Sequence, residues 1–490
     1  MDIPILKGNY KPSMYIKTDE PIKVDHTRLQ VHNLIVMRNG DGSEPKSLLY
    51  LGKVLEHTSA PDLYLYDVWL DIGYPHVALV PGRRGTGKSY ALGVFAEGLA
   101  LTERESNVTT KGIGHTVLIF DTLGQFWQMG SKLIGRDSEE RKQLDDIDRW
   151  GLQPLEIKKL QVFVPTGKEK PAEWKELKLR FCEVEPSELA GILGVDLYQD
   201  RMGQLLYHIY AKIREEGYRM ASIDESSGKI TQGGYVPPKS NFDVQDLISC
   251  LDSDYEVISP NIGYEIQTRR ALRSRLVEIS RWKIFASVGT AIDEIFKKGY
   301  VNVVNLEGID EDLRNLIVAV VVRKIFQARE STRRREKFQE AGLKIEIGGT
   351  PVSPGWVIID EAHEFCPNVG RTAARDPLIR FAKEGRSLGL GLIMATQQPS
   401  ALSEKISSQI ELVISHALAF AADIRSLSDR LVNRVVPEFH HRSGVVSFEE
   451  QIRLLPTGSA LISAVGIPRA FLMTMRPRIT MHGGKAPTME

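Results

Sequence analysis

The stretch Gly82-Arg83-Arg84-Gly85-Thr86-Gly87-Lys88-Ser89 fits G-x-x-x-x-G-K-[ST] at every fixed position, and few short patterns restrict a fold as much. Before it runs Val77-Ala78-Leu79-Val80, an apolar segment suited to a buried strand. After it runs Tyr90 to Leu101, rich in helix formers. Strand, glycine loop and helix are the context a phosphate-binding loop needs and a chance glycine-rich turn lacks. Gly82, Gly85 and Gly87 let the backbone fold closely around a polyphosphate, and the N–H groups at the helix start point at the anion with the favourable dipole end behind them. Lys88 then reaches the β/γ-phosphates and the Ser89 hydroxyl ligates Mg²⁺, while Thr86 completes the cradle. Arg83 and Arg84 fill variable positions, where a cation either contacts phosphate or faces solvent.

Such a loop belongs in a large α/β core, and 490 residues with 42% hydrophobic and 26% charged side chains supply one, with two or three domains expected. Lys+Arg and Asp+Glu both number 63, so the formal net charge is zero. That balance neither suggests nor excludes nucleic acid, because a ring or cleft concentrates basic groups locally while the total cancels. Cys182, Cys250 and Cys366 lie far apart without metal-ligand spacing and read as reduced intracellular thiols. The start, Met1-Asp2-Ile3-Pro4, lacks the charged and apolar regions of a leader, and no stretch approaches the ~18 apolar residues of a membrane span. A soluble, cytoplasmic chain is expected.

In chain order, residues 1–75 carry short apolar or alternating runs, Leu29 to Met37 and Leu48 to Leu55, around the turn-rich Asn39-Gly40-Asp41-Gly42-Ser43, and read as a small β-rich module. The core opens at residue 76. Thr116-Val117-Leu118-Ile119-Phe120 is a second strand, ending on Asp121, an acid placed beside the first strand and so near the metal. Leu160 to Val164 is a third. Helical spacing then dominates from about Glu183 to Phe296, with Met202, Leu205, Leu206, Ile209 and Ile213 on one face and a polar Ser/Gly/Pro loop from about Ser222 to Asn241. Thr268 to Phe285 interleaves Arg269, Arg270, Arg273, Arg275, Arg281 and Lys283 with apolar residues, reading equally as a basic contact surface or a solvated helix paired with a neighbour's acids. Tyr300 to Leu306 restores β character and a helix follows into Arg333-Arg334-Arg335, a solvated end, so the helical block is an insertion into one core.

Trp356-Val357-Ile358-Ile359-Asp360-Glu361 is an apolar strand ending in two acids. Asp360 offsets metal charge, and Glu361 orients and polarises the attacking water. His363 takes a structural reading, and the string Asp360-Glu361-Ala362-His363, which spells the name of a helicase class, is a coincidence. Gln397, after Leu390 to Thr396, can hydrogen-bond the γ-phosphate and the lytic water. Arg386 sits at a helix end stopped by glycine, from which a cation can cross a subunit boundary. Val369-Gly370-Arg371-Thr372-Ala373-Ala374-Arg375 is either a channel-facing loop whose Arg371 and Arg375 touch DNA phosphates or a plain surface loop. No Leu-Ser-Gly-Gly-Gln-like signature precedes the acidic strand, which disfavours an ABC-type ATPase.

The phosphate loop, the strand ending on Asp121, Asp360-Glu361, Glu384-Gly385-Arg386-Ser387-Leu388-Gly389-Leu390-Gly391 and Ala395-Thr396-Gln397-Gln398-Pro399-Ser400, in this order, resemble the HerA branch of the FtsK/HerA translocases. The tail, Leu455-Pro456-Thr457-Gly458-Ser459-Ala460 with Arg476-Pro477-Arg478 and His482-Gly483-Gly484, is similar to that family's closing strands. The resemblance implies an α/β fold, a RecA-like P-loop core whose parallel-type sheet is split by the insertion: 76–180 and 298–490 around a helical 181–297, with 1–75 as a short HAS-barrel-like module. It implies a homo-hexameric ring that hydrolyses ATP with Mg²⁺ and moves double-stranded DNA through its pore for a NurA-like nuclease or an antiviral effector such as a sirtuin-type NADase. Lys88 and Ser89 then serve the phosphates and metal, Asp360 the metal, Glu361 the water, Gln397 as sensor and Arg386 as the finger in trans. The alternative is a ring-forming scaffold or regulatory ATPase that need not move DNA. The chain departs from the family at Pro75, where many members place an arginine before the histidine, at Arg84, commonly threonine, and at Gln125, usually glutamate.

Overall fold

A computed structural model describes residues 32–37, 45–55, 66–223, 229–260, 263–343, 348–431, 438–441, 444–467 and 470–483. A 14-stranded sheet runs through the chain. Its parallel part has the spatial order Leu412–Ser415, Val77–Pro81, Leu390–Thr396, Gly355–Ile359, Thr116–Asp121, Val301–Asn305, Leu160–Pro165 and Lys175–Leu177. Val77–Pro81, Thr116–Asp121, Gly355–Ile359 and Leu390–Thr396 are buried at every residue. That burial is why they read as unbroken apolar runs: crossover helices cover both faces of a parallel sheet.

Alternate residues feed two cores, as the period of a strand dictates. Leu118, Phe120, Val357, Ile359, Leu392 and Met394 face one, under the 30-residue helix Glu311–Glu340, the helix Arg375–Leu388 and the insertion. Val117, Ile119, Ile358, Ile393 and Ala395 face the other, under the helix Lys88–Ala100.

Beyond Leu412–Ser415 the sheet turns antiparallel through Ser459–Ala464, Phe471–Met475, Leu48–Val54 and Tyr66–Asp71, and His32–Val36 closes it in parallel with Tyr66–Asp71. The described strands of residues 32–71 therefore extend the core sheet, joined where Met473 pairs with Val54, and Leu49, Leu51, Val68 and Leu70 share the core of the phosphate-loop helix. Residues 1–31, with the start of the run Leu29 to Met37, and Asn39 to Ser43 lie outside the described residues.

The insertion packs Pro186–Leu193, Arg201–Ala211, Val244–Ser253 and Ile266–Ile279 into the core on the long-helix side. Arg323 of that helix clamps it through Glu188 (2.6 Å) and the Glu183 carbonyl (2.5 Å). The polar stretch expected as a loop from Ser222 is instead partly an antiparallel hairpin, Tyr218–Ile223 with Ile230–Val236. On the basic helix, Arg273 pairs with Asp252 at 2.8 Å, Arg269 donates to the Tyr264 carbonyl at 3.1 Å and Arg275 donates to the Leu193 carbonyl, so these three serve the insertion itself. No helix among the described residues is long and apolar enough to cross a membrane.

Candidate active site

The phosphate loop leaves the sheet after Pro81 and is pinned from the neighbouring strands: Gly82 N–H donates to the Thr396 carbonyl (3.1 Å) and Arg83 N–H to the Ala417 carbonyl (2.8 Å). Gly85 and Gly87 have φ of 78° and 115°, the left-handed region that glycine enters without penalty. A Cβ on Gly82 would lie 2.8 Å from the His416 Cβ, whereas one on Gly85 would meet no atom within 4 Å. The loop is thus packed tightly on its protein side and open on the other, the form of a cradle for a phosphate chain. Arg83 and Arg84 are exposed, and Arg83 holds the loop through its backbone, its carbonyl accepting from the Thr86 hydroxyl at 2.8 Å and from Lys88 Nζ at 3.5 Å. Lys88 is buried, which lowers its pKa against the pull of the Glu361 and Asp360 carboxylates.

Strand register sets what faces this loop. Thr396 pairs with Pro81, Met394 with Ile359, and Ile359 with Phe120, so the residues just past Ile359 emerge at the same sheet edge as the loop. The Ser89 hydroxyl donates to Asp360 Oδ2 at 2.9 Å, across 271 residues of sequence. Two oxygen donors converging beside a phosphate cradle suit Mg²⁺, a hard cation, and Ser89 and Asp360 would hold it. Asp360 is 1% exposed, and burial, reinforced by the Glu361 charge, raises its pKa to about 6. Glu361 is held at φ 52°, a left-handed conformation unusual for a side chain with a Cβ, and its N–H donates to Asp360 Oδ1 at 2.9 Å. Its carboxylate accepts from the Gln397 amide on one oxygen, while the other lies 3.5 Å from His363 Nδ1 and has no hydrogen-bond partner. His363 in turn lies 3.1 Å from the Thr396 hydroxyl. A buried carboxylate, bonded on one oxygen and free on the other, beside an oxygen pair fit for a cation, can polarise a water molecule.

Gly82 to Ser89, Asp360, Glu361 and Gln397 thus come together. Asp121 does not stand beside the loop strand as expected: Gly355–Ile359 and Leu390–Thr396 lie between. Its carboxylate instead caps the following turn, accepting Gln125 N–H (3.0 Å) and Phe126 N–H (2.9 Å), and burial lifts its pKa to about 6. Gln125, the departure noted above, contributes that backbone N–H. Arg386 lies at the other end of the sheet, 60% exposed and paired with Glu411 at 2.5 Å. Arg371 is exposed and paired with Asp196 of the insertion, and Arg375 is half-buried at the first turn of its helix.

Sequence reasoning missed His416 and Glu97. His416 is buried beneath the loop, with Nδ1 donating to the Ser459 carbonyl at 3.0 Å, and burial pushes its pKa down to about 4, so the ring is neutral. Glu97 is 0% exposed in the phosphate-loop helix, bound to Arg476 at 2.6 Å and to the Thr480 N–H at 2.9 Å. Its signal was a lone acid within Ala91 to Leu101, otherwise without charge.

A family model described as the central domain of helicase HerA matches residues 49–325, and one described as zonular occludens toxin matches residues 280–422. The DNA double-strand break repair helicase HerA of Sulfurisphaera tokodaii is 32% identical over 36% of this chain and 31% of its own length. That of Pyrococcus furiosus is 24% identical over 48% of this chain and 45% of its own. The chain thus spans a third to a half of these curated relatives' length. The solved structure of VirB4 of Thermoanaerobacter pseudethanolicus is similar at a TM-score of 0.45 and 13% identity, covering 87% of this chain and 96% of that one. The HerA match takes in the phosphate loop, five of the eight parallel strands, the insertion and the first half of the long helix, more than half of the chain, and so the chain belongs to the family of the HerA helicase central domain.

Proposed function

We propose that the chain hydrolyses ATP at a Mg²⁺-dependent site shared between neighbouring subunits of a homo-hexameric ring, and that hydrolysis moves double-stranded DNA through the central pore for a partner nuclease or other effector. The observation that carries the catalytic part is the convergence of Ser89, Asp360 and Glu361 on the loop edge. Membership of the HerA family, whose relatives bear the name DNA double-strand break repair helicase, supports the DNA part.

In this reading Lys88 and the loop N–H groups bind and orient the polyphosphate. Mg²⁺, when bound, neutralises phosphate charge. Glu361 takes the position of the group that orients the lytic water, and Gln397 holds it until a γ-phosphate competes for the amide. Arg386 cannot serve its own loop: the strand Leu390–Thr396, 7 residues and about 20 Å long, separates it from Gln397. A finger at that end of the sheet can act only in the next subunit.

Glu361→Gln should keep ATP binding and lose turnover by about 10²–10⁴-fold, and Arg386→Ala should lose about 10³-fold or more with binding retained. An Arg386→Ala protein that hydrolyses ATP at the wild-type rate removes the shared site. The pairing of Arg371 with Asp196, which engages a cation expected at DNA phosphates, favours the second reading, a scaffold or regulatory ATPase that does not move DNA. Duplex binding across a salt series, with and without ATPase stimulation, separates the two. A steep salt slope that weakens when Arg371 and Arg375 are reversed to Glu supports translocation, and an ATPase indifferent to DNA supports the scaffold.

A further inference from the structure

Arg386 and its carboxylate partner are held very differently. Arg386 stands in the last turn of Arg375–Leu388, before Gly389 at φ 79° stops the helix, and its side chain is 60% exposed on a flexible stem. Glu411 is stitched into the sheet on both sides: its N–H donates to the Val77 carbonyl at 2.9 Å and its carbonyl accepts the Val465 N–H at 3.0 Å. One carboxylate oxygen meets Arg386 Nη1 at 2.5 Å, and the other faces His76 Nδ1 at 3.6 Å. His76 is 4% exposed and fixed by Nε2 donating to the Asp71 carbonyl at 2.8 Å, so the second oxygen is walled in by a ring that does not move. Burial works against the Glu411 carboxylate, yet the His76 ring facing it and the Arg386 guanidinium together outweigh burial and hold the carboxyl below its usual range.

We infer that Glu411 is a holster for Arg386, holding the guanidinium against its own subunit until the neighbour's nucleotide draws it across. The inference rests on the reading of Arg386 as a finger in trans. Of the two partners the carboxylate is fixed and the arginine is mobile, so when the pair opens it is the arginine that travels. The two destinations exclude each other: Glu411 belongs to Arg386's own sheet, and a γ-phosphate lies in another subunit. A guanidinium leaving a carboxylate for the terminal oxygens of a phosphate exchanges one anionic, planar acceptor for another. Glu411 therefore sets the fraction of time for which the neighbouring site is complete, and restrains ATP turnover in a ring not yet committed to it. Glu411 is a positioning residue, acting only through Arg386.

The test is steady-state ATP turnover of the full chain for wild type, Glu411→Gln, Arg386→Ala and the double variant. Glutamine keeps the shape and an acceptor but removes the charge, so Glu411→Gln should raise kcat by roughly two- to five-fold, the bias expected of a partly exposed ion pair, with KM for ATP within about two-fold of wild type. The double variant should be as slow as Arg386→Ala alone, a non-additivity that a merely structural role for Glu411 would not produce. Should Glu411→Gln fold poorly by melting temperature, Glu411→Asp, which keeps the charge but draws the carboxylate back from Arg386 and His76 by one methylene, should shift kcat in the same direction. A kcat unchanged or lowered in the folded variant overturns the holster. Wild-type turnover in Arg386→Ala overturns the shared site instead, and the two failures are told apart by which single variant shows them.

Discussion

Glu361 pays for its position with backbone strain: a left-handed φ of 52° costs a residue with a Cβ about 1–3 kcal/mol, and such outliers gather at functional sites. Here the strain aims a half-satisfied carboxylate at the loop edge. Asp360 beside it sets a pH dependence. Its carboxyl titrates near 6 against an ordinary 3.8, because burial first and the Glu361 charge second disfavour the ionised form. The folded chain holds that proton longer than the unfolded chain does, so this group lowers stability as pH rises through the interval between those values. Cation binding has the opposite sign, since a ligand carboxylate must be ionised. Affinity for Mg²⁺ with a non-hydrolysable ATP analogue should therefore fall more steeply below about pH 6 than protonation of the analogue's own phosphate accounts for, and Asp360→Asn should bind weakly and keep only the analogue's slope. Calorimetric titration between about pH 5 and 7 checks this, and a wild-type profile no steeper than that of Asp360→Asn contradicts it. Asp360, Glu361 and Gln397 were all legible in the sequence, because each ends an apolar strand on a polar residue. Glu411 was not: its role appears only once the start of one strand and the end of a distant helix are neighbours.

The phosphate-loop helix Lys88–Ala100 shows what fixes an element under load. Arg476, fully buried, donates to the Tyr50 carbonyl (2.9 Å), the Val94 carbonyl (3.1 Å) and Glu97 Oε2 (2.6 Å), so the closing segment ties the N-terminal strands to this helix. Arg478 presses against Gly93, where a Cβ would sit 2.4 Å from its Nε. Breaking a buried ion pair while one partner stays is costly, so Arg476→Met should lower stability by about 3–5 kcal/mol in chemical denaturation. Loss of under about 1 kcal/mol would show that the cluster does not brace the helix. Helices with one buried face were readable from spacing, as with Leu205, Leu206 and Ile209. The hairpin Tyr218–Ile223 with Ile230–Val236 was not, because Ile230–Val236 has no fully buried residue and backbone pairing carries no hydrophobic period.

Across the whole molecule, the parallel core was legible and the strand order was not. Nothing in residues 32–71 announces that they pair with Phe471–Met475, and Asp121 was placed beside the loop strand because sequence order stood in for spatial order. The same ordering puts the loop, Asp360 and Glu361 at one end of the strands and Arg386 with Glu411 at the other. In the proposed ring, a subunit so built carries two halves of different sites. Mixing two inactive variants by co-expression, Glu361→Gln with Arg386→Ala, tests that claim most directly. Each lacks a different half, so an interface between an Arg386→Ala subunit and a Glu361→Gln neighbour restores both, and random rings should recover about a quarter of wild-type ATP turnover. Mixed rings no more active than either variant alone would contradict the account.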